Sequence, residues 1–151
     1  MFGYCVWYKI NDTRINNIIK EISKIVNSDS FPGHITINSK LNIEEAEKIF
    51  DKNMKNGIPY FIKIGDIYQT RDNNFYALQI DYLHNGENQK RNYHISLAYR
   101  LDKPFSNNEI EKVRHFISNY DINLVNSNDI NITLNDCHYS NWKHWKIINI
   151  K

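Results

Sequence analysis

His34-Ile35-Thr36-Ile37 and His94-Ile95-Ser96-Leu97 are two versions of one pattern, in which a histidine and a hydroxyl residue alternate with aliphatic residues. Side chains two positions apart point to the same face of an extended strand. Each stretch therefore predicts a strand with an imidazole and a hydroxyl on one face and two aliphatic side chains on the other. Two such strands brought together would supply two proton-transfer groups and two hydrogen-bond donors to one site.

Each stretch is followed by a turn and a capped helix, so the second half of the chain repeats the plan of the first. Asn42 with Glu45, and Ser106 with Glu109, precede apolar positions at helical spacing, which is the pattern of a capping box. Apolar residues from 15 to 26 recur at the same spacing and predict a further helix. We therefore expect a single α+β domain of two pseudo-symmetric lobes. Each lobe would be an antiparallel sheet with helices on its outer side, facing the other lobe across a central groove.

Stretches rich in aromatic and β-branched residues predict the strands. Turn-forming pairs such as Pro32-Gly33, Asn56-Gly57 and Asn85-Gly86 separate the predicted elements. The predicted strands span residues 4–10, 34–39, 60–68, 75–83, 92–100, 122–125, 130–134 and 142–150.

Charge and hydropathy limit the partners that the chain is expected to have. Lys and Arg total 19 against 17 Asp and Glu, a net charge of +2, whereas proteins that grip long nucleic acid usually carry a stronger basic excess. We expect a monomer acting on a small nucleotide or oligonucleotide, with no long nucleic acid. The chain has no signal-peptide pattern and no apolar run of the ~20 residues that span a bilayer. We therefore expect no membrane partner and a cytoplasmic location. The abundance of Asn, Ile and Lys, whose codons are rich in A and T, suggests a viral or parasitic source, and a viral protein would act in the host cytoplasm.

Two other groups of residues must be considered as a possible disulfide and a possible metal site. Cys5 and Cys137 are the only cysteines, and nothing in their spacing resembles a disulfide framework, so we expect two reduced, buried thiols. Cys137 also stands near His138 and His144, with His115 elsewhere in the chain. This spacing lacks the second close pair of ligands that zinc sites usually show. We therefore expect no metal and no other cofactor.

The paired pattern suits the cleavage of a phosphodiester without a metal ion. One neutral imidazole takes a proton from the attacking water, and the other, protonated, gives a proton to the departing oxygen. A histidine pKa near 6.5 allows both forms around neutral pH. Thr36 and Ser96 would donate hydrogen bonds to the phosphate oxygens. The sequence leaves open which of His34 and His94 is the acid and which is the base.

Beyond these residues, the chain resembles the two-histidine phosphoesterase superfamily, and above all the small cyclic nucleotide phosphodiesterases of plants and yeast. Residues 4–7 resemble the opening strand of that group, and residues 31–36 its first motif, with Gly33 inserted before the histidine. Residues 41–46 resemble the start of the following helix, and residues 94–99 the second motif. Trp142 and the strand after it resemble the closing strand.

The resemblance implies a metal-independent hydrolase that opens a 2′,3′-cyclic phosphate. Relatives in the same superfamily also act on 2′,5′-linked oligoadenylate or on cyclic dinucleotides, so a phosphodiesterase that degrades such immune messengers is an alternative. A non-catalytic module that binds nucleotides or RNA ends is a second alternative. Binding alone would not need two titratable groups.

Three aromatic residues are candidates for substrate binding, each with a structural alternative. By resemblance Tyr99 contacts phosphate, although it is an odd number of residues from His94 and needs a twist or strand end to share its face. Tyr68 stands near a position from which the superfamily stacks an aromatic ring on the base, or is a surface tyrosine. Trp7 contacts the ligand or belongs to the core. The basic pair at residues 90 and 91 is a solvated turn or a steering patch for an anion.

Overall fold

The computed structural model describes residues 1–84 and 92–150. Within these ranges it contains three α-helices, which are α1 (Thr13–Ile25), α2 (Ile43–Asn56) and α3 (Asn107–Ile117). The same ranges contain nine strands: β1 (Tyr4–Ile10), β2 (His34–Leu41), β3 (Phe61–Lys63), β4 (Tyr68–Asp72), β5 (Phe75–His84), β6 (Tyr93–Leu101), β7 (Leu124–Val125), β8 (Ile130–Asp136) and β9 (Lys146–Ile150). The predicted turn at residues 85 and 86 lies outside the described residues.

The strands of the described ranges form one antiparallel sheet that curls into a half-barrel. The strand order is β7-β3-β5-β6-β2-β1-β8-β9, and β4 pairs with β5 beside β3. The predicted α+β class is confirmed. The arrangement in two pseudo-symmetric lobes is not confirmed, because the two histidine strands, β2 and β6, are neighbours in one continuous sheet.

Side-chain caps start all three helices, and two of them are the capping boxes that the sequence predicts. In α2 the Asn42 and Glu45 side chains each accept from the backbone N–H of the other, at 2.9 and 3.1 Å. In α3 Ser106 and Glu109 make the same reciprocal pair. Asp12 caps α1 by accepting from the backbone of the first turn. In the part of the chain that the structure describes, no helix is long and apolar enough to cross a membrane.

The helices cover the face of the sheet that carries the aliphatic residues of the two motifs. Ile35 and Ile95 are register partners and are almost fully buried, in the same core as Ile19 of α1 and Phe50 of α2. Burying one such side chain contributes about 1.5–3 kcal/mol. This apolar face fixes the orientation of both strands, and the alternation leaves the histidines and hydroxyls on the opposite, concave face.

Three predicted strands are shorter in the structure than in the sequence analysis, and of the strand predicted for residues 122–125 only Leu124–Val125 forms. The prediction for residues 60–68 spans a break, because β3 ends at Lys63 and β4 begins at Tyr68. The last predicted strand begins instead with a 3₁₀ turn at Trp142–His144. There the indole of Trp142 turns inward and donates a hydrogen bond to the Asp29 carbonyl at 2.9 Å. A buried indole N–H needs such a partner, and this need overrides the strand pattern.

Candidate active site

The two motifs meet at the centre of the sheet. Strands β2 and β6 are antiparallel, and their register is set by the pair of Ile35 and Ile95. The histidine and the hydroxyl residue of each strand flank its isoleucine, so they point to the opposite face of the sheet. One cavity with a volume of about 210 Å³ is lined by all four of these residues, which are His34, Thr36, His94 and Ser96. The structure therefore brings together the four residues that the sequence predicts as catalytic.

His34 is held rigidly from three sides. Its side chain is 4% exposed, and its ring stacks on the indole of Trp7 at 3.8 Å between centroids. The Nδ1 atom lies 2.8 Å from the carbonyl oxygen of Pro32. Because a carbonyl only accepts, Nδ1 carries the proton in this contact, and Nε2 keeps its lone pair. The same Nε2 lies 3.4 Å from Oη of Tyr99, inside the cavity.

The environment of His34 keeps its imidazole neutral. Burial lowers the pKa of His34 from 6.5 to about 4, against an opposing effect of the hydrogen bond to Pro32. Positive charge on His94 makes a smaller contribution to this lowering. Near neutral pH, His34 is therefore an unprotonated base whose Nε2 atom lies in the cavity beside the Tyr99 hydroxyl, and the two histidines influence each other electrostatically.

Gly33, which separates Pro32 from His34, packs closely against α1. A Cβ atom at this position would lie 3.0 Å from Oδ1 of Asn16 and 3.2 Å from a methyl carbon of Ile19. The same Asn16 oxygen accepts a hydrogen bond from the Gly33 backbone at 2.7 Å. The glycine thus lets helix α1 approach the backbone just before His34 and fixes the entry of that residue into the site.

The histidine of the second motif lies in a more open environment than that of the first, whereas the two hydroxyl residues show the opposite order. His94 is only half-buried, whereas Ser96 is 5% exposed. Across β6, the register partners of these two residues on β5 are Asp81 and Gln79. Gln79 also lines the cavity. The two motifs therefore share a residue pattern but differ in burial, and it is His94 that is closer to solvent.

A β-bulge in β6 brings Tyr99 to the cavity. Leu78 and Gln79 are neighbours on β5, but their partners on β6 are Ala98 and Ser96. Strand β6 therefore has one extra residue between these two partners. A bulge of this kind shifts the alternation of side chains by one position. Tyr99, an odd number of residues from His94, consequently shares its face and lines the same cavity. The twist that the sequence analysis required is supplied by this irregularity.

The phenol of Tyr99 is a buried hydrogen-bonding group. The residue is 5% exposed, and its ring stacks on Phe31 at 4.0 Å between centroids. Burial raises the pKa of Tyr99, while a hydrogen bond with Ser96 acts in the opposite direction. The phenol therefore stays protonated at neutral pH, in contact with one residue of each motif, His34 and Ser96.

Tyr68 lies at the rim, outside the set of side chains that line the cavity. It is 37% exposed and donates a hydrogen bond to the carboxylate of Asp81. Its hydroxyl accepts from Nε2 of Gln79 at 2.8 Å, and Gln79 in turn accepts from Thr70 at 3.1 Å. Tyr68 is thus linked to the cavity through one residue. Its predicted stacking on a nucleobase stays a prediction.

Trp7 belongs both to the cavity wall and to a small core. It is 5% exposed, lines the cavity and packs with Cys5 and Cys137 in a cluster separate from the main core. Its ring also stacks on the imidazole of His34. Both cysteines are free and buried, as predicted. The structure therefore gives Trp7 a supporting role for His34, and its contact with a substrate stays a prediction.

Several cavity residues were missed by the sequence analysis. A signal exists for Gln79, because it is a polar residue inside an otherwise apolar strand, and it is buried. Asp72 also lines the cavity, where its charge is paired with Lys40 at 3.0 Å. No local sequence pattern predicts the ion pair of Asp72 with Lys40, because the two residues belong to different strands that are distant in the sequence. The basic pair at residues 90 and 91 lies outside the described residues.

No cluster of metal ligands accompanies the histidine pair. In residues 1–84 and 92–150, no group of three or more His, Cys, Asp or Glu side chains is placed to hold a metal ion. This includes the candidates considered from the sequence, which are Cys137, His138, His144 and His115. His138 instead pairs with the carboxylate of Asp136.

Comparison with known proteins adds no assignment to this geometry. A scan against protein-family models finds no match for the chain, and a search among curated proteins finds none either.

Proposed function

We propose that the protein hydrolyses a nucleotide phosphodiester without a metal ion, and that the bond is a 2′,3′-cyclic phosphate. One observation carries the proposal: His34, Thr36, His94 and Ser96 line a single cavity on the concave face of two neighbouring strands. Two imidazoles and two hydroxyls around one space are the groups that metal-independent phosphodiester cleavage requires. The resemblance of both motifs to those of two-histidine phosphoesterases adds support.

The environments of the two histidines favour a division of roles. His34, neutral with a free Nε2, acts as the general base and takes a proton from the attacking water. The water oxygen forms a bond to phosphorus, and the bond from phosphorus to the departing ribose oxygen breaks. Protonated His94, the more exposed ring, gives its proton to that oxygen. The product is a phosphomonoester beside a free hydroxyl.

The neutral donors of the site complete the mechanism. Thr36 and Ser96 donate hydrogen bonds to the non-bridging oxygens, whose negative charge changes as the water attacks. Preorganised donors of this kind act strongly in a cavity that excludes water. Tyr99 contacts both His34 and Ser96 and is placed to orient the base relative to the phosphate. Together these groups supply the proton transfers and the charge stabilisation of the reaction.

A two-fold relation between the two halves of the sheet forms part of the same proposal. The sheet path holds four strands on each side of the β2–β6 junction, and each histidine strand leads into a helix with a capping box. We propose that β2 and β6 are equivalent strands of two pseudo-symmetric lobes fused into one sheet. This would explain why the two motifs contribute equal residue types to one phosphate.

The choice of substrate can be tested directly with a panel of phosphodiesters. Purified protein is incubated with 2′,3′-cyclic, 3′,5′-cyclic, 2′,5′-linked and cyclic dinucleotide substrates, each with and without a chelator, and the products are identified. Chelator-resistant opening of the 2′,3′-cyclic phosphate is expected. Cleavage confined to 2′,5′-linked or cyclic dinucleotides would replace the proposed substrate with the alternative one. Binding without cleavage would indicate a non-catalytic module.

A further inference from the structure

A pair of thiols lies on neighbouring strands beside the site. Cys5 of β1 is the register partner of Asn135 of β8, and Cys137, two residues further along, bonds through its N–H to the carbonyl of Gly3 at 2.8 Å. Side chains two positions apart share a face, so the two cysteines form a diagonal cross-strand pair. Both cysteines belong to one buried cluster with Trp7.

The two thiols open onto the cavity of the histidines. Both are buried, at 3% and 1% exposure, and both are free. Both line the same cavity as His34 and His94, so a small molecule that enters the cavity reaches both sulfurs. The proposed hydrolysis gives neither thiol a role.

We propose that Cys5 and Cys137 form a dithiol modification site that reacts as one unit with small disulfides entering the cavity. The Cys5 thiolate attacks one sulfur of the small disulfide and displaces one thiolate. The Cys137 sulfur then attacks Sγ of Cys5 in the mixed disulfide and displaces the second thiolate. Two electrons pass to the reagent, and the two protons of the cysteine thiols give two reduced thiol molecules.

The order of attack follows from the contact between the sulfurs. A hydrogen bond from Cys137 lowers the pKa of Cys5, against the opposing effect of burial. The same contact, together with burial, raises the pKa of Cys137. The thiolate is the reactive form, so Cys5 attacks first and Cys137 resolves the mixed disulfide.

Oxidation of the pair would reach the histidine site through Trp7. The indole packs on both cysteines and stacks on His34 at 3.8 Å. Closing a bond of about 2.05 Å between the two sulfurs shortens their separation and moves their β-carbons, and the indole of Trp7, which packs in the same cluster, must adjust. This effect on turnover rests on the proposed function, whereas the thiol chemistry does not.

The thiol chemistry is tested on the native protein by intact mass. Treatment with glutathione disulfide is expected to remove two hydrogen atoms and leave no adduct, and a reductant should reverse the change. Cys137→Ser should stop at one glutathione adduct, and Cys5→Ser should react much more slowly. An arsenical that needs two thiols, phenylarsine oxide, should bind once per chain and about 10²-fold more weakly to either single variant, because chelation is lost.

Two outcomes would overturn the inference. One is a native protein that takes up two independent glutathione adducts, and the other is a native protein that reacts with neither reagent. Histidine-ring NMR supplies a readout of the link through Trp7 that does not depend on catalysis. Oxidation should shift the His34 signal and leave that of exposed His115 in place. Absence of cleavage in the substrate panel would defeat the proposed function without affecting either result.

Discussion

Strands β2 and β6 carry the same residue pattern but hold it in different environments. His34 is buried beneath Trp7, bonded through Nδ1 to Pro32 and kept neutral, with its pKa lowered to about 4. His94 is only half-buried, and its strand is interrupted by the bulge at residues 96–98. Two motifs with the same residue types can therefore place their histidines in different environments. In the proposed mechanism, burial of His34 makes it the base and leaves the role of the acid to His94.

The largest expected effect comes from removing either imidazole. His34→Ala and His94→Ala should each lower kcat by about 10²–10⁴-fold, the usual contribution of a general acid or base. The measurement is kcat on a 2′,3′-cyclic nucleotide, with thermal unfolding as a check that the fold is intact. His115→Ala, at an exposed position on α3, is the matched control and should keep the activity of the parent protein.

A change of leaving group separates the two roles. A phosphodiester that releases 4-nitrophenolate needs little protonation of the departing oxygen. On this substrate the deficit of His94→Ala should shrink strongly, while that of His34→Ala should persist, because the water must still be deprotonated. If both variants show equal deficits on the two substrates, the assignment of roles is lost. If the activated substrate restores the activity of His34→Ala instead, the roles are reversed.

The hydroxyls offer the next comparison between the strands. Thr36→Ala and Ser96→Ala should each reduce kcat by about 10²–10³-fold, the cost of losing one donor to a developing charge. Ser96→Ala should have the larger effect, because it also removes the hydrogen bond to Tyr99. Ser118→Ala, at the exposed end of α3, serves as the control. A greater loss from Thr36→Ala would mean that the contact with Tyr99 contributes nothing.

Local rules were sufficient to predict the helices, the class and the histidine strands. Capping boxes at Asn42 and Ser106 act within one turn of a helix, so they can be read directly from the sequence. The alternation around Ile35 and Ile95 predicts which side chains face the core. These features depend on neighbours along the chain, and the structure agrees with each of them.

Features that depend on distant partners were not predictable. The extra residue in β6 is defined only relative to β5, and without it the sequence could not settle the direction of Tyr99. The inward turn of Trp142 depends on the carbonyl of Asp29, far away in the chain. The contact of Trp7 with His34 likewise comes from two strands that the sequence alone does not align.

Stability at acid pH should report the burial of His34. Its pKa is about 4 in the folded chain and near 6.5 when unfolded. Above pH 6.5 both states are neutral, and as the pH falls from 6.5 towards 4 only the unfolded chain gains the proton. This group should therefore lower the free energy of unfolding by up to ~3 kcal/mol across that window. Urea unfolding at a series of pH values measures the slope.

Substitution identifies the source of that slope. His34→Gln removes the titrating group and should flatten the dependence between pH 6.5 and 4, whereas His115→Gln should leave it unchanged. His115 is an exposed residue of α3, so its substitution serves as the matched control. If the two variants show the same slope as the parent chain, His34 is not buried as a neutral ring in solution.

The smallest effect tests the link between the two motifs. Tyr99→Phe removes a hydroxyl that lies 3.4 Å from Nε2 of His34 and bonds to Ser96. A net hydrogen bond is worth about 0.5–1.5 kcal/mol, so kcat should fall roughly twofold to tenfold. Tyr120→Phe, at a position 45% exposed, should have no effect. If Tyr99 only orients the base, its loss should lower kcat and leave KM unchanged. A raised KM with unchanged kcat would instead place the phenol on the substrate, which is the role that the resemblance assigns to it.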